Sequence, residues 1–120
     1  MSIRAEKVAS LVQQEIGTII SRELNGSGEY GFATVTETRM TPDLRIARIF
    51  VSILGSDEKK EKTLRYIEEQ KSHYRALIGS KLRLRFTPSL EFFHDTSLDR
   101  AMHIENLIRK IHKDDHDTIS

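Results

Sequence analysis

Arg45-Ile46-Ala47-Arg48-Ile49-Phe50-Val51-Ser52-Ile53-Leu54 alternates its side chains with the period of a β-strand. Ala47, Ile49, Val51 and Ile53 fall on one face, which reads as core, and Arg48, Phe50 and Ser52 fall on the other. Just upstream, Thr41-Pro42-Asp43-Leu44 has the chemistry of a turn, because Pro presets one dihedral and the Asp carboxylate can bond the backbone ahead of it. Phe32 to Met40, rich in Thr and Val, reads as the strand that enters this turn. Strands joined so closely are expected to be antiparallel neighbours.

Helical patterns lie on both sides of this hairpin. From Ala5 to Leu24, Val8, Leu11, Val12, Ile16, Ile19 and Ile20 recur at helical spacing, and Asn25-Gly26 supplies the C-terminal stop. Gly55-Ser56-Asp57 opens a second helix with Leu64 and Ile67 inward. The pattern weakens at Gln70-Lys71-Ser72 and resumes with Tyr74, Leu77, Ile78 and Leu82, so two helices are expected to meet there, with Ser72 as the N-cap of the second. Leu90 and Phe92 alternate with Glu91 and Phe93 in a third strand. After Asp95-Thr96-Ser97, which reads as a cap, a last helix carries Ala101, Ile104, Leu107, Ile108 and Ile111. The order is α-β-β-α-α-β-α, an α+β domain with a three-stranded sheet, helices on one face and the other face open.

A chain of 120 residues fits one domain, read here as residues 1–112 with a polar, frayed tail over 113–120. Its formal charge of +1 is too small for a protein that coats nucleic acid indiscriminately. Cys is absent, so neither disulfides nor a thiolate zinc site can staple the fold, and a reducing compartment fits. The charged start, Met1-Ser2-Ile3-Arg4-Ala5-Glu6-Lys7, lacks a signal-peptide core, and no apolar run is long enough for a bilayer. A cytoplasmic monomer without membrane contact is expected.

Several motifs spell chemistry that their context withholds. Gly26-Ser27-Gly28-Glu29-Tyr30-Gly31 matches the dinucleotide fingerprint, but here a helix precedes it and a strand follows, the reverse of what a pyrophosphate needs. His94-Asp95-Thr96-Ser97 contains the letters of a hydrolase triad as sequence neighbours, whereas a triad is a spatial arrangement. His112 and His116 have the spacing of a metal pair but sit in a polar tail. Glu68 and Glu69 point to different helix faces. No enzyme, metal or cofactor is expected.

The charge distribution is more informative. Lys71, Arg75, Lys81, Arg83 and Arg85 occur in a stretch without one acidic residue. A surface selected for solubility alone mixes signs, so this band reads as the footprint of a phosphate-rich partner. Lys71 and Arg75 share a helix face. In an extended segment Leu82, Leu84 and Phe86 would face inward and Lys81, Arg83 and Arg85 outward, so removing Arg75, Arg83 and Arg85 should spare the fold. Arg45 and Arg48 form a second tier, and Arg48, Phe50 and Phe93 share the sheet face opposite the core, where aromatics with a cation could stack bases unless the last helix covers them.

An α-β-β-α-α-β order is the type II KH arrangement, a fold that binds single-stranded RNA, but Gly28 to Gly31 lies in the wrong loop for the KH G-x-x-G. The chain resembles one KH-like family without that loop, bacterial ribosome-binding factor A. The resemblance is carried by Glu15-Ile16 with Ile19, Ile20, Arg22 and Glu23, by Pro42 to Ser52, by Leu77-Ile78-Gly79, and most specifically by Leu84-Arg85-Phe86-Thr87-Pro88-Ser89-Leu90-Glu91-Phe92-Phe93-His94-Asp95-Thr96-Ser97. Where the family has Ala-x-Gly at the kink between the paired helices, this chain has Gln70-Lys71-Ser72. The resemblance implies a non-enzymatic factor that binds the small (30S) ribosomal subunit and its 16S rRNA during late maturation. It further implies a role in 5′-end processing, support of growth in the cold, and release with the help of an assembly GTPase. The competing reading is a protein-interaction module that uses the open sheet face and never touches RNA.

Overall fold

The structure, a computed structural model, describes residues 3–97 together with Arg100, Ala101 and His103. Six elements follow in the order α1 (Ile3–Leu24), β1 (Phe32–Met40), β2 (Ile46–Leu54), α2 (Asp57–Glu69), α3 (Lys71–Lys81) and β3 (Ser89–His94). The hairpin forms as its turn chemistry dictates. Asp43 Oδ1 accepts the Arg45 N–H at 3.1 Å and the Thr41 hydroxyl at 2.6 Å, and these bonds hold the Asp43 carboxyl below the usual carboxylate range. Leu44 closes the loop in the left-handed region at φ 61°.

β1 and β2 pair antiparallel from Phe32 opposite Leu54 to Met40 opposite Ala47, with the register shifting between Val35 and Glu37. β3 lies on the other side of β2 and runs parallel to it, with Leu90 opposite Ala47 and Phe93 opposite Phe50. The α2–α3 crossover permits this direction, since parallel neighbours cannot be joined by a tight turn. Leu90, Ala47, Ile49, Val51 and Ile53 face the helices and are buried, so β2 carries the core as its alternation requires.

α1 contributes Ala5, Val8, Ala9, Val12, Ile16, Ile20 and Leu24 to that core. Leu11, expected inward, is 47% exposed, because the buried seam follows the i, i+4 row from Val8 to Leu24 and leaves Leu11 on its flank. The Gly26–Gly31 motif is a loop, with Gly26 and Gly28 at positive φ. Gly31 is a close approach rather than a phosphate cradle: a Cβ there would fall 2.6 Å from Ile53 Cγ2, and its N–H donates to Thr63 Oγ1 at 2.9 Å.

The paired helices divide at Gln70, whose φ of −90° and ψ of 1° any residue can adopt. The division therefore needs no glycine. Ser72 is not its cap. Gln70 occupies that position without a side-chain bond, and its own N–H still reaches the carbonyls of Tyr66 and Glu68. Ser72 lies inside the first turn of α3, beyond the point where the chain leaves α2, so it is not placed to cap. Ser56 does cap, accepting the Lys59 N–H at 3.2 Å at the start of α2. We expect Ser56→Ala to cost about 1 kcal/mol and Ser72→Ala less than about 0.5 kcal/mol, compared by urea midpoints.

Asp95 ends β3 and caps the next turn, accepting the Ser97 N–H at 2.9 Å and the Thr36 hydroxyl at 2.7 Å. Bonds from Ser97 and Thr36 lower its carboxyl to about 2. A carboxyl depressed by folding stabilises the native state above its unfolded value, and that contribution disappears as pH falls through the folded value. Asp95→Asn should therefore lower the unfolding midpoint at pH 7, and the difference from the parent protein should shrink as pH falls to about 2 and disappear below it. Ser97, Arg100, Ala101 and His103 are helical, as expected of a following helix, while Ile104 to Ile111, the His112/His116 pair and the tail lie outside the described residues.

Candidate nucleic-acid interface

The basic band does not form one uniform face. Lys71, at the start of α3, is engaged by Glu68 of α2 at 3.2 Å, an acid that its own stretch of sequence lacks. Arg75 is not a free outward charge either. Its Nε donates to the Pro88 carbonyl at 3.2 Å and its Nη2 to the Thr87 carbonyl at 2.9 Å. It holds the segment entering β3 against α3, so the expectation that Arg75 can be removed without consequence for the fold is withdrawn. Gly79, one turn further along, lets that segment approach: a Cβ would fall 2.7 Å from Thr87 Oγ1.

Residues 82–88 are not part of the sheet, and this changes which side chains face out. Leu84 donates its N–H to the Leu82 carbonyl at 2.9 Å, a tight bend that ends any simple alternation. Leu82 and Leu84 pack against the core as expected, and Pro88 is buried. Phe86, expected inward, is 61% exposed. The guanidinium groups of Arg45 and Arg85 lie 5.9 Å and 5.5 Å from its ring centre.

Three clefts meet around this phenyl ring. Arg4, Asp43, Leu44, Arg45, Leu84 and Arg85 line one of about 270 Å³ with it. Ser72, Arg75, Ala76, Gly79, Arg85 and Thr87 line a second of about 470 Å³. Arg45, Arg75, Thr87 and Ser89 line a third of about 220 Å³. Arg45, Arg75 and Arg85 are thus brought together, with Arg4 added from α1. Lys81, at the end of α3, and Arg83, on the connection that follows, are exposed without lining these clefts. Among the described residues, no carboxylate lies within ion-pair distance of Lys81, Arg83 or Arg85.

Arg48 stands apart on the open sheet face, 3.3 Å from Glu91. Phe50 and Phe93 do share that face, but their rings stack on each other at 5.2 Å, and Arg39 lies 5.7 Å from the Phe50 ring centre. In the ladder Glu37 sits opposite Phe50 and Glu91 opposite Arg48.

Behind the basic rim, the hydroxyls of Tyr74 and Tyr66 donate to Glu23 Oε1 at 2.8 and 3.2 Å, tying α3 and α2 to α1. Burial first, and Glu23 second, push both phenols above their usual range. The hydrolase letters do not assemble, because the Asp95 carboxylate is taken by Ser97 and Thr36 rather than by the His94 ring. Among the described residues, no cluster of three or more His, Asp or Glu is placed to hold a metal ion, and no helix is long and apolar enough to cross a membrane.

Sequence reasoning missed Arg4, Gly79 and the outward Phe86. Arg4 carries no local signal, because only the tertiary fold brings the start of α1 to the hairpin turn. The glycine in Leu77-Ile78-Gly79, placed mid-helix at a cost in propensity, was the available hint of a close approach.

Among the described residues, fold and surface define a small α+β domain with a three-helix layer, a sheet face left open and a basic edge around an exposed phenyl ring. The ribosome-binding factor A family model matches residues 4–108, and the chain belongs to that family. It is 46% identical to ribosome-binding factor A of Chloroherpeton thalassium over 112 residues, which cover 92% of this chain and 88% of that protein. The crystal structure of ribosome-binding factor A from Thermus thermophilus shares the fold with a TM-score of 0.62 at 18% identity, covering 75% of this chain and 94% of that one. A homology model of the Thermus thermophilus protein, fitted into a cryo-EM map of a 30S–RbfA complex, superposes with a TM-score of 0.56 at 18% identity, over 72% of this chain and 93% of that one.

Proposed function

We propose that this protein is a non-enzymatic assembly factor that binds the small ribosomal subunit through 16S rRNA, using the edge formed by α3, residues 82–88 and the β1–β2 turn. The observation that carries the proposal is the row Lys81, Arg83 and Arg85, exposed and without carboxylate partners among the described residues. Cations held away from acids are what a phosphate backbone needs, since each contact releases condensed counterions. Family membership and the 30S complex of the Thermus protein support the same partner. Arg85 beside Phe86 forms the centre of the interface, Arg4, Lys81 and Arg83 extend it, and Arg75 supports it. Arg45, 4.0 Å from Asp43, joins it, whereas Lys71 and Arg48 contribute less because Glu68 and Glu91 engage them more closely, at 3.2 and 3.3 Å.

In this reading the monomer acts in the cytoplasm during late 30S maturation, including formation of the 16S rRNA 5′ end and adaptation to cold, and an assembly GTPase assists its release. Co-sedimentation with isolated small subunits, and its absence with mature 70S particles, tests the proposal; equal recovery with both, or with neither, would refute it. The competing reading, a protein partner on the open sheet face, has one observation in its favour: Phe32, Leu54 and Phe93 are 56%, 40% and 42% exposed.

A further inference from the structure

We infer that Phe86 is a stacking platform for an unpaired RNA base. The inference rests on the reading above, in which this edge meets rRNA, and it names what the edge takes: a single-stranded nucleotide rather than the backbone of a duplex. A phenyl ring that is 61% exposed is the wrong residue for a surface that only neutralises phosphate. Duplex RNA is recognised by shape and by contacts to its sugars and phosphates, and an aromatic ring adds nothing to that. A splayed-out base, by contrast, has a π face that stacks on an aromatic side chain, and arginines beside the ring supply charge for the flanking phosphates.

The ring is also held ready. Arg75 bonds the Thr87 and Pro88 carbonyls, Thr87 packs against Gly79, and Pro88 is buried, so Phe86 projects from a fixed segment. Fixing the binding geometry before the partner arrives lowers the ordering cost of association. The Arg45 and Arg85 guanidinium groups approach the ring from the hairpin turn and from its own segment, and the ring lines clefts of about 270 and 470 Å³. Asp43 is the one carboxylate lining these two clefts among the described residues; the Thr41 hydroxyl and the Arg45 N–H occupy its Oδ1, and its Oδ2 lies 4.0 Å from Arg45 Nε. The Phe50–Phe93 pair does not offer an equivalent platform. Those rings stack on each other, and a carboxylate, Glu37, sits opposite Phe50 in the ladder.

The chain contains no Trp, so Phe86→Trp introduces a single fluorophore at the platform. On titration with a short single-stranded oligoadenylate its emission should be quenched at saturation, while a duplex of the same length should leave it unchanged. Phe86→Leu, which keeps an apolar side chain but removes the π face, should bind the single strand about tenfold more weakly. Its slope of log K against log salt should match the parent protein, because no charge is lost. If Phe86→Leu binds as tightly as the parent, or if the tryptophan is not quenched, the platform is refuted while the basic edge stands. A flattened salt slope for Phe86→Leu would also refute it, since the ring would then act only by positioning its arginines. Failure of the parent protein to bind any RNA would overturn both this inference and the proposed function.

Discussion

The triple variant Lys81→Ala, Arg83→Ala, Arg85→Ala should bind small ribosomal subunits at least about tenfold more weakly than the parent protein. Its slope of log K against log salt should flatten by about one for each phosphate contact removed. All three side chains are exposed, and the Arg85 contact with Phe86 is worth only about 0.5–1 kcal/mol at such a site, so the fold should persist. Arg75 is deliberately left in place, because its bonds to Thr87 and Pro88 would make loss of charge and loss of support indistinguishable. Equilibrium binding at several salt concentrations provides the check. A folded triple variant with unchanged affinity and slope would reduce the band to a solvated surface.

Tyr74→Ala should be the most damaging single change to the core. The ring is fully buried, meets Phe92 edge-on at 6.1 Å, and places its hydroxyl 2.8 Å from Glu23. Truncating a buried aromatic to Ala costs about 3–5 kcal/mol, against a total stability of about 5–15 kcal/mol for an ordinary domain. Tyr74→Phe should cost less, about 1.5–3 kcal/mol, the range for a hydrogen bond to a charged acceptor, because the ring remains and Glu23 keeps Tyr66. Urea unfolding of the two variants separates packing from hydrogen bonding; equal costs would show that the ring contributes little.

The elements were legible where a short-range rule decides them. The alternation in β2, the Pro-Asp turn and the helical spacing of α1 each report local geometry, and the structure agrees with all three. The parallel pairing of β3 was not visible in the same way, because strand direction depends on how α2 and α3 return the chain. Ser72 has the residue type of a cap, but the chain leaves helical geometry at Gln70, which puts Ser72 inside the first turn of α3. Phe86 was read inward by extending the alternation of Leu82 and Leu84, and the bend at Leu82–Leu84 breaks the premise of that extension.

The interface was legible as a charge pattern but not as a geometry. Sequence shows that Lys71 to Arg85 lacks acids, yet Glu68 reaches Lys71 from the neighbouring helix, and backbone carbonyls claim Arg75. Both partners lie outside the stretch that was being read. The same limit hid Arg4, which only the packing of α1 against the hairpin brings to the site.

Position-specific cross-linking to small subunits tests the central claim most directly. With no native Cys in the chain, Ser80→Cys and Thr34→Cys each provide a unique exposed attachment point for a photo-activated cross-linker, the first at the end of α3 and the second on the open sheet face. The account predicts cross-links to 16S rRNA from position 80 and few or none from position 34. Efficient rRNA cross-linking from position 34 alone, with none from position 80, would contradict it.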